Sequence, residues 1–426
     1  MRMKDMLCAL ATSASAVQAQ QASPSRLNDS LRVTRNEAIA QSLAHNPQLE
    51  VAREQSTQAR ARRVQSIAVP DPQISASRDD ATRFLGTPGG KNLGVSLGVP
   101  FPDKFRLRNT VATAEVQSFD FQFTLLRQQV AAATARSYDS LLVTRRHRQD
   151  LTEGRALAAE FLQKAQTRFD AGTVARLDVI RARVDLAQAD NALIANERDI
   201  ANAEAALNRL LGQPLGTAIV TVDSLSVPQP VPDLDVLEAR ALRARPELSD
   251  LAAQQRGANA STNLAREFWL PDLFVAANRD YAQSGGFLFS TGISLPFPVL
   301  FWNHTKGELA ETRARERELA ASYRDLQAAI GQDVRGAYAA AVTSLRQVIY
   351  LRDELLPAAR EAFRVASVGY GLGGFSALDV LDARRTLLDA ESQFADALAA
   401  ASSARSDLER AIGAPLDSIA TGGARE

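Results

Sequence analysis

The sequence predicts a mainly α-helical fold that contributes strands to a shared membrane β-barrel, and three observations predict it. The chain of 426 residues is built twice over, with matching segments repeated at a shift of about 201 positions. Proline is missing from long stretches of each copy, which marks long helices, because a proline inside a helix costs about 3 kcal/mol. Ahead of each long helix lie two short runs that alternate apolar with small or polar residues, the period of a strand with two unlike faces.

The duplication rests on matches that keep one order. Leu177-Asp178-Val179-Ile180-Arg181-Ala182-Arg183 returns as Leu378-Asp379-Val380-Leu381-Asp382-Ala383-Arg384, and Gly212-Gln213-Pro214-Leu215 as Gly413-Ala414-Pro415-Leu416. Asn46-Pro47-Gln48-Leu49 pairs with Arg245-Pro246-Glu247-Leu248, Pro70-Asp71 with Pro271-Asp272, and Pro100-Phe101-Pro102 with Pro296-Phe297-Pro298. Residues 20–230 form the first unit: a helix, a hairpin at 72–101, a long helix at 105–169 and a return helix at 174–211. The second unit, 231–417, has a helix, a hairpin at 271–297, a long helix at 304–369 and a return helix at 376–412, leaving 418–426 as a tail.

No proline occurs between Pro102 and Pro214, a stretch rich in Ala, Leu, Arg, Glu and Gln and broken by Gly172. A helix from Phe105 to Phe169 would be about 95 Å long and needs a partner along its length. Phe119, Phe123, Leu126, Val130 and Ala133 recur at coiled-coil spacing, and Ile330, Val334, Ala337, Ala341, Leu345 and Val348 repeat the seam in the second copy. Pro357 has no counterpart in the first copy, so a kink or short break is expected there.

The strand runs are Gln73 to Arg78 and Asn92 to Val99 around a Gly86-Thr87-Pro88-Gly89-Gly90 loop, then Leu273 to Tyr281 and Phe287 to Leu295 around Ser284-Gly285-Gly286. Runs of this length suit tilted transmembrane strands. Four strands cannot close a barrel, and unpaired sheet edges are not tolerated in lipid, so several chains must share one. Phe101 and Phe105 follow the second strand, Phe268 and Trp269 precede the third, and Phe297, Phe301 and Trp302 follow the fourth. Those are the positions of an interfacial aromatic belt, or of aromatics covering the ends of a soluble sheet.

The N-terminus reads as an export signal: Arg2 and Lys4, an apolar-to-small run from Met6 to Val17, and a small-residue pattern at Val17-Gln18-Ala19, with cleavage expected after Ala19. The single cysteine, Cys8, and all three methionines, Met1, Met3 and Met6, lie in it, so a mature chain would have no disulfide, no thiol nucleophile and no soft-metal relay. No later apolar run reaches the roughly 18 residues of a membrane-spanning helix. Basic and acidic residues balance at 49 each, which provides no footprint for nucleic acid.

Taken together these residues resemble the TolC-like outer-membrane efflux protein family, over almost all of the mature chain. The resemblance lies in the duplication, the Asn-Pro-Gln-Leu and Arg-Pro-Glu-Leu helix starts, the Pro-Phe-Pro ends of the hairpins, and a Gly-x5-Asp-Val-[Leu/Ile]-x-Ala signature. That signature spans Gly172 to Ala182 and, with one residue fewer between Gly and Asp, Gly374 to Ala383; counted from Gly373 the spacing is restored. The resemblance implies a homotrimer in the outer membrane of a Gram-negative bacterium. Its twelve strands would close one barrel, and its helices would continue as an α-barrel tunnel through the periplasm. Its implied partners are outer-membrane lipid, a periplasmic adaptor and an inner-membrane pump. The Pro100 to Phe105 stretch looks most like the branch that serves resistance-nodulation-division pumps, metal-ion exporters included.

The same resemblance puts Asp178, Asp379 and Asp382 at a narrow periplasmic tip, where rings of carboxylates would hold cations and repel anions. Arg181 stands where the first copy would have its second acid. Ser376-x-x-Asp379 also has the form of a capping box, which accounts for Asp379 without a pore. The turns Gly172-Thr173-Val174 and Gly373-Gly374-Phe375 are candidates for adaptor contact, the glycines being explained by chain reversal and the apolar residues not. His45, His147 and His304 are too scattered for a metal set, and Gly371, Gly373 and Gly374 lack the context of a nucleotide loop. No cofactor and no enzymatic reaction is expected. A type I protein-secretion duct and a secreted coiled-coil scaffold or adaptor are the alternatives.

Overall fold

A computed structural model describes residues 31–79, 90–280, 287–294 and 302–416. In chain order the first half holds β1 (Leu31–Val33), α1 (Arg35–His45), α2 (Pro47–Ile67), β2 (Gln73–Asp79), β3 (Gly90–Val99), α3 (Pro102–Asp170), α4 (Arg176–Leu211) and β4 (Ile219–Thr221). The second half holds α5 (Leu234–Ala244), α6 (Pro246–Arg266), β5 (Asp272–Asp280), β6 (Phe287–Ser294), α7 (Trp302–Tyr350), α8 (Leu356–Leu372) and α9 (Ala377–Ile412). The signal and the tail lie outside the described residues, as do Phe297, Phe301 and both hairpin loops.

The elements start and stop where local chemistry directs. Thr34 caps α1 in a reciprocal box with Glu37, and Asn46 caps α2 with Pro47 in its first turn. At 69 residues, α3 is about 100 Å long. The return helices α4 and α9 are 36 residues each, and each ends on a glycine in the left-handed region, Gly212 and Gly413.

Long helices survive here because they are buried along successive partners. α3 packs on α2 and α6 near the membrane end and on α4 and α9 farther away. Of the expected α3 seam only Val130 is fully buried, and Phe119, Phe123, Leu126 and Ala133 are half-buried. The buried line instead runs through Val130, Thr134, Tyr138 and Leu141, because α3 has several neighbours rather than one coiled partner. In the second copy Ile330, Val334, Ala341 and Val348 are buried, with Ala337 and Leu345 half-buried.

Two apolar clusters repeat the duplication: Val33, Tyr138, Leu141, Leu207, Leu211 and Ile219 in one half, and Leu237, Leu248, Ile330, Val334, Leu408 and Ile412 in the other. A third, with Phe161, Ala165, Val179, Ala366, Tyr370 and Val380, joins the two halves at the far end. The break expected at Pro357 takes the form of a π-helical turn, Leu351–Leu355, after which Pro357 sits in the first turn of α8.

Two sheets are present where one was expected. β1 and β4 form a short parallel pair beside α3, tied by the Tyr138 hydroxyl, which can donate to Val33 O or Asp223 Oδ2, each 3.0 Å away. Burial pushes the Tyr138 phenol up to about 12, so it stays neutral. The larger sheet has the order β2-β3-β5-β6, all antiparallel, which sets the two hairpins side by side.

Candidate functional site

The register of the larger sheet sorts its residues into two unlike faces. Ile74 lies opposite Val95, Val95 opposite Ala277, and Ala277 opposite Phe289, and the parallel row joins Val99, Leu273 and Ile293. With Leu93, Leu97, Val275 and Phe287 these make one largely apolar face, interrupted by Thr291 and carrying Lys91 and Arg279 toward the hairpin loops. The other face is mainly polar, with Gln73, Ser75, Ser77, Asn92, Ser96, Asn278, Ser290 and Ser294 beside Gly94 and Gly98, and it also carries Phe274, Ala276 and Leu288. There a Cβ on Gly94 would lie 2.2 Å from Asn278 Oδ1, so glycine is what lets the Asn278 side chain cross the strand.

On the apolar face Ile74 is 77% exposed and Phe289 78%. Within this sheet β2 and β6 each have one strand neighbour and one open edge. An apolar face this extensive, backed by a polar one, is the pattern of a strand set with lipid outside and water inside. Among the described residues no helix is long and apolar enough to cross a membrane.

Where sheet meets helices, Lys104 is buried and donates to Leu270 O at 2.8 Å and Asp272 Oδ1 at 3.0 Å, fixing the start of α3 against β5. Phe101 and Trp269 are exposed at this level, and Phe105 and Phe268 are half-buried. Trp302 begins α7.

The opposite end of the molecule carries both helical turns. Gly172 and Gly373 have φ of 72° and 83°, a conformation open to glycine, and the second signature therefore starts from Gly373 rather than Gly374. Thr173 donates its hydroxyl to Arg168 O at 2.9 Å, and Val174 is half-buried rather than exposed. Phe375 folds back so that its ring occupies the space a Cβ on Gly369 would need, and it keeps 45% exposure. The most exposed apolar residue at this tip is Leu372, at 85%, with Leu177 and Leu378 beside the turns more than half exposed.

The three tip carboxylates have different settings. Asp379 completes the capping box, its Oδ2 accepting from the Ser376 N–H and hydroxyl at 2.8 Å each. Those bonds, the backbone one foremost, hold its carboxyl below the usual range. The cap therefore contributes above the carboxyl's unfolded pKa and is lost as pH falls through the folded value. Asp178 lies 3.8 Å from Arg181. Asp382 is exposed and lines a groove between α4 and α9 whose other charges are Arg181, Asp185, Arg384, Arg385 and Asp389.

The groove has a buried clasp beneath it. Arg384 of α9 donates to Gly154 O of α3 at 2.9 Å and pairs with Asp185 of α4, so three helices meet on one guanidinium. A second link closes the tip: Arg168 of α3 bonds to Tyr370 O of α8, and its guanidinium lies 4.6 Å over the Tyr370 ring.

The model of the family described as outer membrane efflux protein matches residues 38–213 and 237–414, once for each half. The chain belongs to the outer membrane efflux protein family. This efflux protein is 25% identical over 360 residues to the cobalt-zinc-cadmium resistance protein CzcC of Cupriavidus metallidurans, covering 82% of each chain. It is 23% identical to the outer membrane protein TolC of Vibrio cholerae, over 71% of this chain and 73% of that one. Among solved structures it resembles the outer-membrane channel OprN, with a TM-score of 0.78, 19% identity and 90% of each chain covered. It also resembles CusC, with a TM-score of 0.75, 19% identity, and 89% and 92% covered.

The efflux protein is thus an outer-membrane channel of a Gram-negative bacterium, most of whose mass forms the periplasmic tunnel. Its family consists of transport channels that act with an adaptor and a pump. The residues that brace its tip, Arg168, Tyr370, Asp185 and Arg384, carry no local motif, and only their places beside the duplicated signature mark them. Among the described residues no group of His, Cys, Asp and Glu could hold a metal ion. His45 Nδ1 faces Gln41 O at 3.2 Å, and His147 Nε2 lies 3.3 Å from Asp396.

Proposed function

We propose that this chain is one protomer of a homotrimeric duct that receives divalent metal cations from a periplasmic adaptor and an inner-membrane pump of the resistance-nodulation-division type. The observation that carries the trimer is the four-stranded sheet with an apolar outer face and two open edges, which three copies would close into twelve strands. The cargo rests on the likeness to the cobalt-zinc-cadmium resistance protein along 82% of the chain. Electron microscopy of the protein extracted from outer membranes should give a three-fold tube about 100 Å long with a short barrel at one end. Deleting the gene should lower tolerance to zinc, cobalt or cadmium, and restoring it should recover that tolerance. Unchanged metal tolerance with lost drug tolerance would reassign the cargo.

At the tip, Asp178, Asp379 and Asp382 form the constriction, and Leu372, Phe375, Leu177 and Leu378 offer the adaptor an apolar contact. Replacing Asp379 and Asp382 together by Asn should raise single-channel conductance and weaken block by divalent cations. Conductance and block equal to the parent's would remove both from the constriction.

A further inference from the structure

We propose that the contact between α3 and α9 contains a proton-operated clasp centred on Asp150, tight when Asp150 is protonated and loosened when it is ionised. Asp150 is 5% exposed, and neither of its carboxylate oxygens makes a hydrogen bond. Arg146, one turn away on the same helix, brings Nε to 3.0 Å from Oδ1 but off the line of a hydrogen bond, and its side chain is 43% exposed. One turn in the other direction lies Gly154, whose carbonyl accepts from the buried Arg384. Arg384 serves Asp185 and not Asp150, so one buried carboxylate of this layer is neutralised by a buried cation and the other is not.

Among the described residues, no cation from the neighbouring helices adds to the half-exposed Arg146 and to His147 of the same helix in acting on Asp150. Glu391 of α9 approaches it and adds a second acid, with its side chain 13% exposed. Arg360 of α8 is spent on Glu391 at 3.4 Å and is itself 57% exposed. On α3 itself, His147 faces Asp396 of α9, and Glu153 accepts from Gln149. On α4, Asp190 is held by Arg155 at 2.6 Å. Beside this layer Leu356, Ala359, Leu387 and Ala390 form an apolar wall.

Burial pushes both carboxyls above the usual range, outweighing Arg146 at Asp150, and at Glu391 the charge of Asp150 pushes further the same way. A group whose folded pKa is raised binds a proton that the opened state has released. Its contribution is full below the unfolded carboxyl pKa and is lost as pH rises through the folded value. Acid therefore tightens the joint between the tunnel wall and α9, and neutral pH relaxes it. The inference does not depend on the cargo.

Hydrogen exchange of the full-length protein in detergent tests this, following amides of 141–158 and 384–398 and correcting for the intrinsic pH dependence of exchange. In the parent, opening of these segments should become several-fold more favourable as pH rises from mildly acidic to neutral. Asp150→Asn, which carries the neutral form at every pH, should remove most of that slope and protect the segments at neutral pH. Glu391→Gln should reduce the slope by less, since Arg360 already offsets its charge. A parent slope retained in Asp150→Asn, or a variant less protected than the parent at neutral pH, would overturn the clasp.

Discussion

Val275→Arg is expected to prevent the protein from accumulating as an assembled channel. Val275 lies at the centre of β5, on the apolar face between Leu97 and Thr291. A basic side chain at the middle of a lipid-facing strand costs about 2–4 kcal/mol, and closing a barrel from identical chains incurs that cost once per chain. The control is Ser96→Arg, on the opposite face of the neighbouring strand, beside Ala276. A charge there meets water and should leave assembly intact while narrowing the lumen. Outer-membrane fractions run without heating would show the oligomer for Ser96→Arg and its loss for Val275→Arg. Equal loss in both would mean that the two faces do not differ in solvent.

The second large effect is expected at the tip clasp. Asp185→Asn removes the carboxylate that, among the described residues, is hydrogen-bonded to Arg384, whose side chain is 7% exposed, and leaves a buried guanidinium without that counter-charge. Breaking such a pair from one side costs about 3–5 kcal/mol, whereas replacing both partners by apolar residues of similar size is often neutral. Asp185→Leu combined with Arg384→Met should thus recover most of what Asp185→Asn loses, apart from the bond that Arg384 gives to Gly154 O. Protection of the amides of α9 near Arg384 reports the local cost directly. If the single and double variants were equally impaired, the clasp would act through shape and not through charge.

The difference between what the residues disclosed and what they concealed follows the range of the interactions. Strands β2, β3, β5 and β6 were legible because alternation is a local property, and the helices because proline is excluded locally. The capping role of Asp379 was legible for the same reason, since Ser376 is its neighbour in sequence. β1 and β4 were not: three residues are too few to show a period, and their partners lie far along the chain. Pro357 announced an interruption in the second long helix but not that a wider turn would absorb it. Arg384 and Asp185 are 199 positions apart, and nothing near either one points to the other. The face of α3 was misjudged through Phe119 and Phe123 because a seam read from one helix presumes one partner, and among the described residues this helix packs on five others, α1, α2, α4, α6 and α9.

The open-edged sheet also constrains the order in which the molecule can be made. The apolar clusters join helices of one chain, so this part of the packing can form before other copies arrive. The sheet cannot, because its apolar face lacks lipid and its edges lack neighbours until other copies arrive. A newly exported chain therefore carries an unfinished sheet, prone to stick to anything that offers a strand. Its risk in transit is concentrated in fewer than forty residues, about the number its four strands hold, and an escort that covers those strands alone would suffice to deliver it.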